Sequence, residues 1–236
     1  MSPPMTIRDQ ALLDAAGAGG ATDWTEEFPF DSDSGWTIAA GGGGTMSISG
    51  GNMNWNSVDQ NFSGYATKQF SSSALSDTYW TMLADQTVWT EVSGTPAPLF
   101  YGAANKDYDM VEGGTSALAF LGGLMVGCGP SSLGDHGSQR NPDTEAVNYS
   151  LCWAGNGSGS DNWTTMFRTS STGARFISYP TSDRTASADY DETWTIQSVT
   201  IGLDRATCTG QNGGASGRQA TGACAKLTFK NEVNEE

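Results

Sequence analysis

Apolar and polar positions alternate with a period of two in four short runs near the start of the chain, residues 28–30, 36–38, 46–48 and 53–55. That period puts every second side chain on one face, the pattern of a half-buried β-strand. Gly50 and Gly51 separate the last two runs. Both central residues of a type I′ turn take positive φ, so this pair predicts a tight hairpin. Asp31-Ser-Asp-Ser-Gly35 makes a turn between the first two runs. Further strands are predicted over 64–70, from Thr78 onward through Trp80 and Met82, and over 146–153, 163–168, 175–179, 192–203 and 225–229. The stretch 117–127 is continuously apolar, as in a fully buried strand or two strands kinked at Gly122 and Gly123. Within 192–203 the alternation changes phase once, which predicts a bulge. Residues 92–116, 128–145 and the Gly/Ser-rich stretch 208–224 read as loops. Roughly a dozen short strands with turn signals between them predict a two-sheet antiparallel sandwich.

No internal repeat or domain boundary interrupts this pattern, so residues 24–230 are expected to form one sandwich. Residues 1–23 read as an arm. Thr6 is placed to cap a short helix, Gly17 to end it, and Ile7, Ala11 and Leu12 to form its apolar side. So short a helix is marginal alone and is expected to dock on another surface. Residues 231–236 form an acidic tail. The N-terminus lacks the basic and apolar regions of a secretory signal, and no run approaches the roughly 20 apolar residues of a membrane-spanning helix.

Composition supports an ordered domain. The chain has 8 Trp, 9 Phe and 7 Tyr, enough large side chains for a core, and only 16% charged residues. Its net charge is −15, and its 11 basic residues are scattered along the sequence. A nucleic-acid partner requires a basic stripe and is excluded on that ground, as is an anionic membrane surface.

The run DSDSGW, then SISGGNMNWNSV, ALSDTYWTM and a terminal LTFKNE resembles the concanavalin A-like, or laminin G-like, jelly-roll domains. The resemblance covers residues 24–230. It implies an all-β, two-sheet antiparallel jelly roll with the short helical arm before it, of a kind used as glycan-binding or structural modules in extracellular, environmental and viral proteins. Function on such a fold must be argued from the site.

The fold also hosts glycoside hydrolases, which work with paired carboxylates. The Glu-x-Asp-x-x-Glu and Glu-x-Asp-x-Glu motifs of the laminarinase-like members are absent, and the nearest acid pairs lie in turns. His136 sits in a Gly-rich loop with no nucleophile elbow in the chain, so it reads as a surface histidine. No catalytic residue is assigned. Asp31, Asp33, Asp107 and Asp109 are hard oxygen ligands at short spacing, and since Ca²⁺ suits carboxylates with loop carbonyls they make the candidate Ca²⁺ site; no cofactor is otherwise required. Trp153, Trp163, Tyr101 and Tyr108 lie in or beside polar loops and are the candidate sugar-stacking rings, whereas Trp36, Trp55, Trp80 and Trp194 alternate as core residues. Cys128, Cys152, Cys208 and Cys224 allow three pairings, of which neighbours joined as Cys208–Cys224 and Cys128–Cys152 are the natural ones; buried free thiols are the alternative. Four Asn-x-Ser/Thr sequons, at Asn61, Asn148, Asn156 and Asn162, carry meaning only on a secretory route.

The leading functional expectation is a non-enzymatic structural protein of an assembled particle, a viral or phage capsid, decoration or fibre component. Its partners would be copies of itself or another coat protein, engaged through the arm at the particle surface. The alternative is a carbohydrate-binding module or adhesin, with surface glycans as ligand. A glycan hydrolase comes third.

Overall fold

The computed structural model describes residues 23–41, 44–57, 63–76, 78–93, 99–104, 123–128, 136–140, 147–150, 161–188, 190–195, 203–211 and 219–231. The predicted arm, with Ile7, Ala11 and Leu12, lies outside them, as do Asp107, Tyr108, Asp109, Cys152 and Trp153. The described residues form sixteen strands and no helix. The first half holds β1 (Trp24–Pro29), β2 (Thr37–Gly41), β3 (Thr45–Ser49), β4 (Asn52–Ser57), β5 (Ser63–Gln69), β6 (Trp80–Ser93), β7 (Leu99–Ala104) and β8 (Gly123–Cys128). The second half holds β9 (His136–Arg140), β10 (Val147–Ser150), β11 (Asp161–Ser170), β12 (Gly173–Tyr179), β13 (Tyr190–Thr195), β14 (Arg205–Gln211), β15 (Gln219–Cys224) and β16 (Lys226–Asn231). They pair into a nine-stranded and a seven-stranded sheet, every ladder antiparallel.

The predicted hairpin forms. Met46 pairs with Trp55 and Ile48 with Met53, and the turn residues Gly50 and Gly51 take φ of 61° and 75°. The opening stretch does not stay in one sheet, however. β1, β3 and β4 join the nine-stranded sheet, and β2 crosses to the edge of the other.

β6 organises the nine-stranded sheet. On one side it pairs with β11; on the other its first half pairs with β16 and its second half with β15. β15 and β16 therefore follow each other along one edge of β6, with Ala225 between them donating its N–H to Asp85 O at 3.0 Å. Opposite β11 the step from Ala84 to Thr87 matches a shorter step from Thr164 to Asn162, so β6 carries one extra residue there. Gln86 takes φ 49° at this bulge. A bulge increases local twist and lets a 14-residue strand curve over the core instead of overshooting it.

Before the bulge the even-numbered residues of β6 face inward. Trp80, Met82 and Ala84 are buried, as are their register neighbours Phe229 and Met166. At one end Trp24, Phe28, Phe30, Trp36, Phe70, Trp80 and Phe229 form a chain of ring contacts with centroids 5.0–6.4 Å apart. Several are edge-on, the arrangement ring quadrupoles favour. Trp55 and Trp80 are core residues, as their alternation predicts, and Trp36 packs half-buried against the core.

Three stretches read as loops contain strands. β7 lies inside 92–116, β9 inside 128–145, and β15 with the last residues of β14 inside 208–224. The expected Cys208–Cys224 disulfide is not formed; both are free, buried thiols. They sit on different sheets, and the Cys224 thiol is directed at the Lys226 and Asp85 carbonyls, 3.6 and 3.9 Å away, rather than into a bond with Cys208. Burial raises the pKa of each above the ordinary thiol value, and the nearness of Cys208 adds to the shift at Cys224. Cys128 ends β8, and its side chain is outside the description.

The outer face of the nine-stranded sheet as a candidate binding groove

Before the bulge the odd-numbered residues of β6, Thr81 and Leu83, point away from the core, and the ladders carry that face across the sheet. One row runs Thr25, Lys230, Thr81, Phe167, Arg175, Thr193; the next runs Glu27, Thr228, Leu83, Thr165, Ile177, Asp191. Side chains opposite each other in such rows have Cβ atoms about 5 Å apart. The face therefore carries hydroxyls, apolar groups, the carboxylates of Glu27 and Asp191 and the cationic side chains of Lys230 and Arg175, with Thr81, Thr165, Ile177 and Thr228 buried within it.

The segment after β12 shapes this face into a groove. Its turn is set by Arg184 N–H bonding to Thr181 O at 3.2 Å. The Asp183 carboxylate accepts from the Thr181 and Thr185 hydroxyls at 2.8 and 2.9 Å and from the Thr185 N–H at 3.2 Å. Those bonds, the one from Thr181 first, hold the Asp183 pKa below the usual carboxylate value. Arg184, at φ 53°, then reaches over β6 and donates to Ala84 O at 3.1 Å and to Asp85 Oδ1 at 2.6 Å. Its Nε–H is buried and has no acceptor.

The resulting groove has a volume of about 610 Å³. Thr81, Leu83, Thr165 and Phe167 form its floor, and Tyr79, Tyr179, Arg175, Arg184 and Lys230 line it as well. It reaches from the level of Thr169 to that of Tyr179, about 20 Å at the rise of a strand. Arg168 closes one end. It is buried, and its guanidinium donates to Ser170 O and Ser171 O at 2.8 and 2.7 Å, which holds the β11–β12 turn in shape. Arg175 is held upright by a two-pronged pair with Asp191, at 2.8 and 2.6 Å. This bonding raises the Arg175 pKa and lowers that of Asp191. Lys230 makes no ion pair among the described residues.

Of the residues singled out from the sequence, Trp163 belongs to this region. It is half-buried and pairs with Tyr179 on the outer face, beside the groove. Tyr101 does not. It is fully buried, and its hydroxyl meets Thr164 Oγ1 at 3.1 Å across the two sheets, so it is a core residue rather than a sugar platform. Asp31 and Asp33 lie in an exposed turn where Trp36 N–H bonds Asp33 O at 2.9 Å. Among the described residues no three His, Cys, Asp or Glu side chains come together as a metal site. The sequence reading missed Arg175, Arg184, Lys230, Tyr79, Phe167 and Tyr179, whose one signal is their convergence through strand register.

Two antiparallel sheets stacked on a shared core, with β1 and β16 paired beside each other, make this a concanavalin A-like jelly roll. No protein-family description matches the chain, and no characterised protein matches it in sequence. Solved structures do match. The Emp47p carbohydrate recognition domain superposes with a TM-score of 0.56 at 15% identity, over 84% of this chain and 88% of that one. The exoplasmic/lumenal domain of VIP36, bound to Ca²⁺ and Man3GlcNAc, gives a TM-score of 0.58 at 8% identity, over 90% of each chain. Lectin II from Ulex europaeus gives 0.59 at 11% identity, over 90% of this chain and all of that one. At these identities the similarity is one of fold.

Proposed function

We propose that this protein is a non-catalytic carbohydrate-binding module. The observation that carries the reading is the outer-face groove, where the Thr81, Thr165 and Thr169 hydroxyls surround the Phe167 ring, with the Tyr79 and Tyr179 rings alongside. Sugars present hydroxyls at their edges and C–H groups on their faces, and a groove that alternates hydrogen-bonding groups with aromatic rings complements both. The lectin fold of the matching structures supports the same reading over nearly the whole chain. The described lining contains no carboxylate, so it does not supply the acid pair of a glycosidase. The particle-coat role expected from composition and the arm draws no support from these comparisons, and glycan binding is favoured in its place. An extracytoplasmic setting, as for the exoplasmic/lumenal domain of VIP36, goes with this proposal.

A glycan array tests it. The wild-type chain is expected to bind a defined subset of glycans, and Phe167→Ala or Tyr179→Ala to weaken that binding about tenfold, by loss of one stacking surface of 1–1.5 kcal/mol. Trp163→Ala, beside the groove, is expected to have a smaller effect. An array on which the folded protein binds nothing contradicts the proposal.

A further inference from the structure

We infer that the outer-face groove takes an acidic saccharide, one carrying sulfate or carboxylate groups, and not a neutral one. This rests on the glycan-binding reading above and goes beyond it by assigning the ligand's charge.

The chain carries a net charge of −15 with 11 Lys and Arg in all. Four of those cations, Arg168, Arg175, Arg184 and Lys230, line this one groove, and no carboxylate is among its described lining residues. Two of them are neutralised from outside: Arg175 by Asp191 and Arg184 by Asp85. Arg168 is occupied with the turn it holds. The one that remains points to a ligand. Lys230 has no ion-pair partner among the described residues. An anionic oxygen is the acceptor that gains most there, because hydrogen bonds to charged groups are worth about twice neutral ones.

The spacing suits an oligosaccharide rather than a single small anion. Lys230 and Arg175 share one row and are separated by three strand-to-strand steps, or about 14 Å. Thr81 and Phe167 lie between them in the same row. Anionic groups on a chain of sugars would meet Lys230 at one side and the Arg175 guanidinium at the other, with a ring face seated on Phe167 between.

Isothermal titration with a sulfated, uronate-containing hexasaccharide and with its desulfated, carboxyl-reduced counterpart tests the inference. The acidic form is expected to bind, more weakly as salt rises, and the reduced form to bind at least tenfold more weakly. Lys230→Gln should weaken the acidic ligand about tenfold. Lys68→Gln, which makes the same change in net charge on the other sheet, where Lys68 bonds Ser34 O, should leave affinity unchanged. Arg175→Gln, at the exposed rim, replaces Lys230→Gln if that variant unfolds. Equal affinity for the two saccharides, or loss of affinity in Lys68→Gln as large as in Lys230→Gln, overturns the acidic assignment and leaves the glycan-binding reading standing. Binding of neutral glycans alone does the same. Binding of no glycan, acidic or neutral, overturns both.

Discussion

Gly222→Ala is expected to destabilise the fold by about 3 kcal/mol or more, at the upper end of what overpacking a core costs. Gly222 lies in β15 directly opposite Trp55 in β4. The indole folds across the gap, and a Cβ built on Gly222 falls inside the van der Waals envelope of Trp55 Cη2, Cζ2 and Cζ3. Those are ring atoms of a large, 3%-exposed side chain, not the end of a flexible one. Trp55 has no open space to move into, because the inner face around it is the shared core of the two sheets. Thermal unfolding should show the midpoint lowered by roughly 6–12 °C, given the usual scaling for domains of this size. Trp55→Leu should itself be destabilising, yet adding Gly222→Ala to it should cost little, since the ring that clashes is gone; neighbours that share a contact are non-additive in this way. A Gly222→Ala midpoint within about 2 °C of wild type, or a double variant that simply sums the two losses, would show that the ring does not lie over the glycine.

Alkaline pH is expected to have the second large effect, through Cys208 and Cys224. Both thiols are fully buried and free, and burial holds their pKa values above the ordinary 9.0. In the unfolded chain they ionise near that value. Below pH 9.0 both states keep the protons and stability is unaffected; above it the unfolded state binds fewer protons than the native one, so stability falls as pH rises. Two pH units above the ordinary value the loss is about 3 kcal/mol at Cys208, and Cys224, whose pKa burial also raises, adds to it. Other groups titrate in the same range, so the informative quantity is the difference between wild type and the Cys208→Ala/Cys224→Ala variant in denaturant unfolding. The wild type should lose at least about 3 kcal/mol more between pH 8 and pH 11. Equal losses, or ready reaction of the native thiols with an aromatic disulfide at pH 8, would contradict their burial as neutral groups.

The hairpin at Gly50 and Gly51 was legible because its chemistry is local: two positive-φ residues between two alternating runs admit few other structures. β11 and β12 were legible in part because buried Met166, Ala174 and Phe176 alternate with the less buried Phe167, Gly173 and Arg175. β7, β14 and β15 were hidden for the opposite reason. Residues Tyr101–Ala104 of β7 are all buried, so no alternation exists to be read, and Pro96 and Pro98 just before them suggested a loop. β14 and β15 are built from Ala, Thr, Cys and Gly, which look like linker in sequence. In β14, Thr207 and Thr209 are buried, the latter bonding Gly64 O at 3.0 Å. The disulfide expected from neighbouring cysteines failed because sequence proximity across a loop says nothing about which sheet each strand joins.

The groove was the least legible feature. Its cations come from β11, β12, the following turn and β16, and along the sequence they are four of eleven scattered residues. Only the ladder that sets Lys230 opposite Thr81, Thr81 opposite Phe167 and Phe167 opposite Arg175 turns scatter into a row. Trp163 was reachable because a tryptophan beside a polar loop is conspicuous; Tyr101 met the same criterion and is core.

The central claim is that the outer face of the nine-stranded sheet binds glycans. Its most direct test is a residue-resolved NMR titration of the isotopically labelled chain with a glycan that it retains on the array. Shift changes are expected at Thr81, Leu83, Thr165, Phe167, Arg175 and Tyr179, with little change at Tyr65, Thr67 and Thr207 of the seven-stranded sheet. Shift changes confined to the seven-stranded sheet, or none on the outer face at saturating glycan, would contradict it.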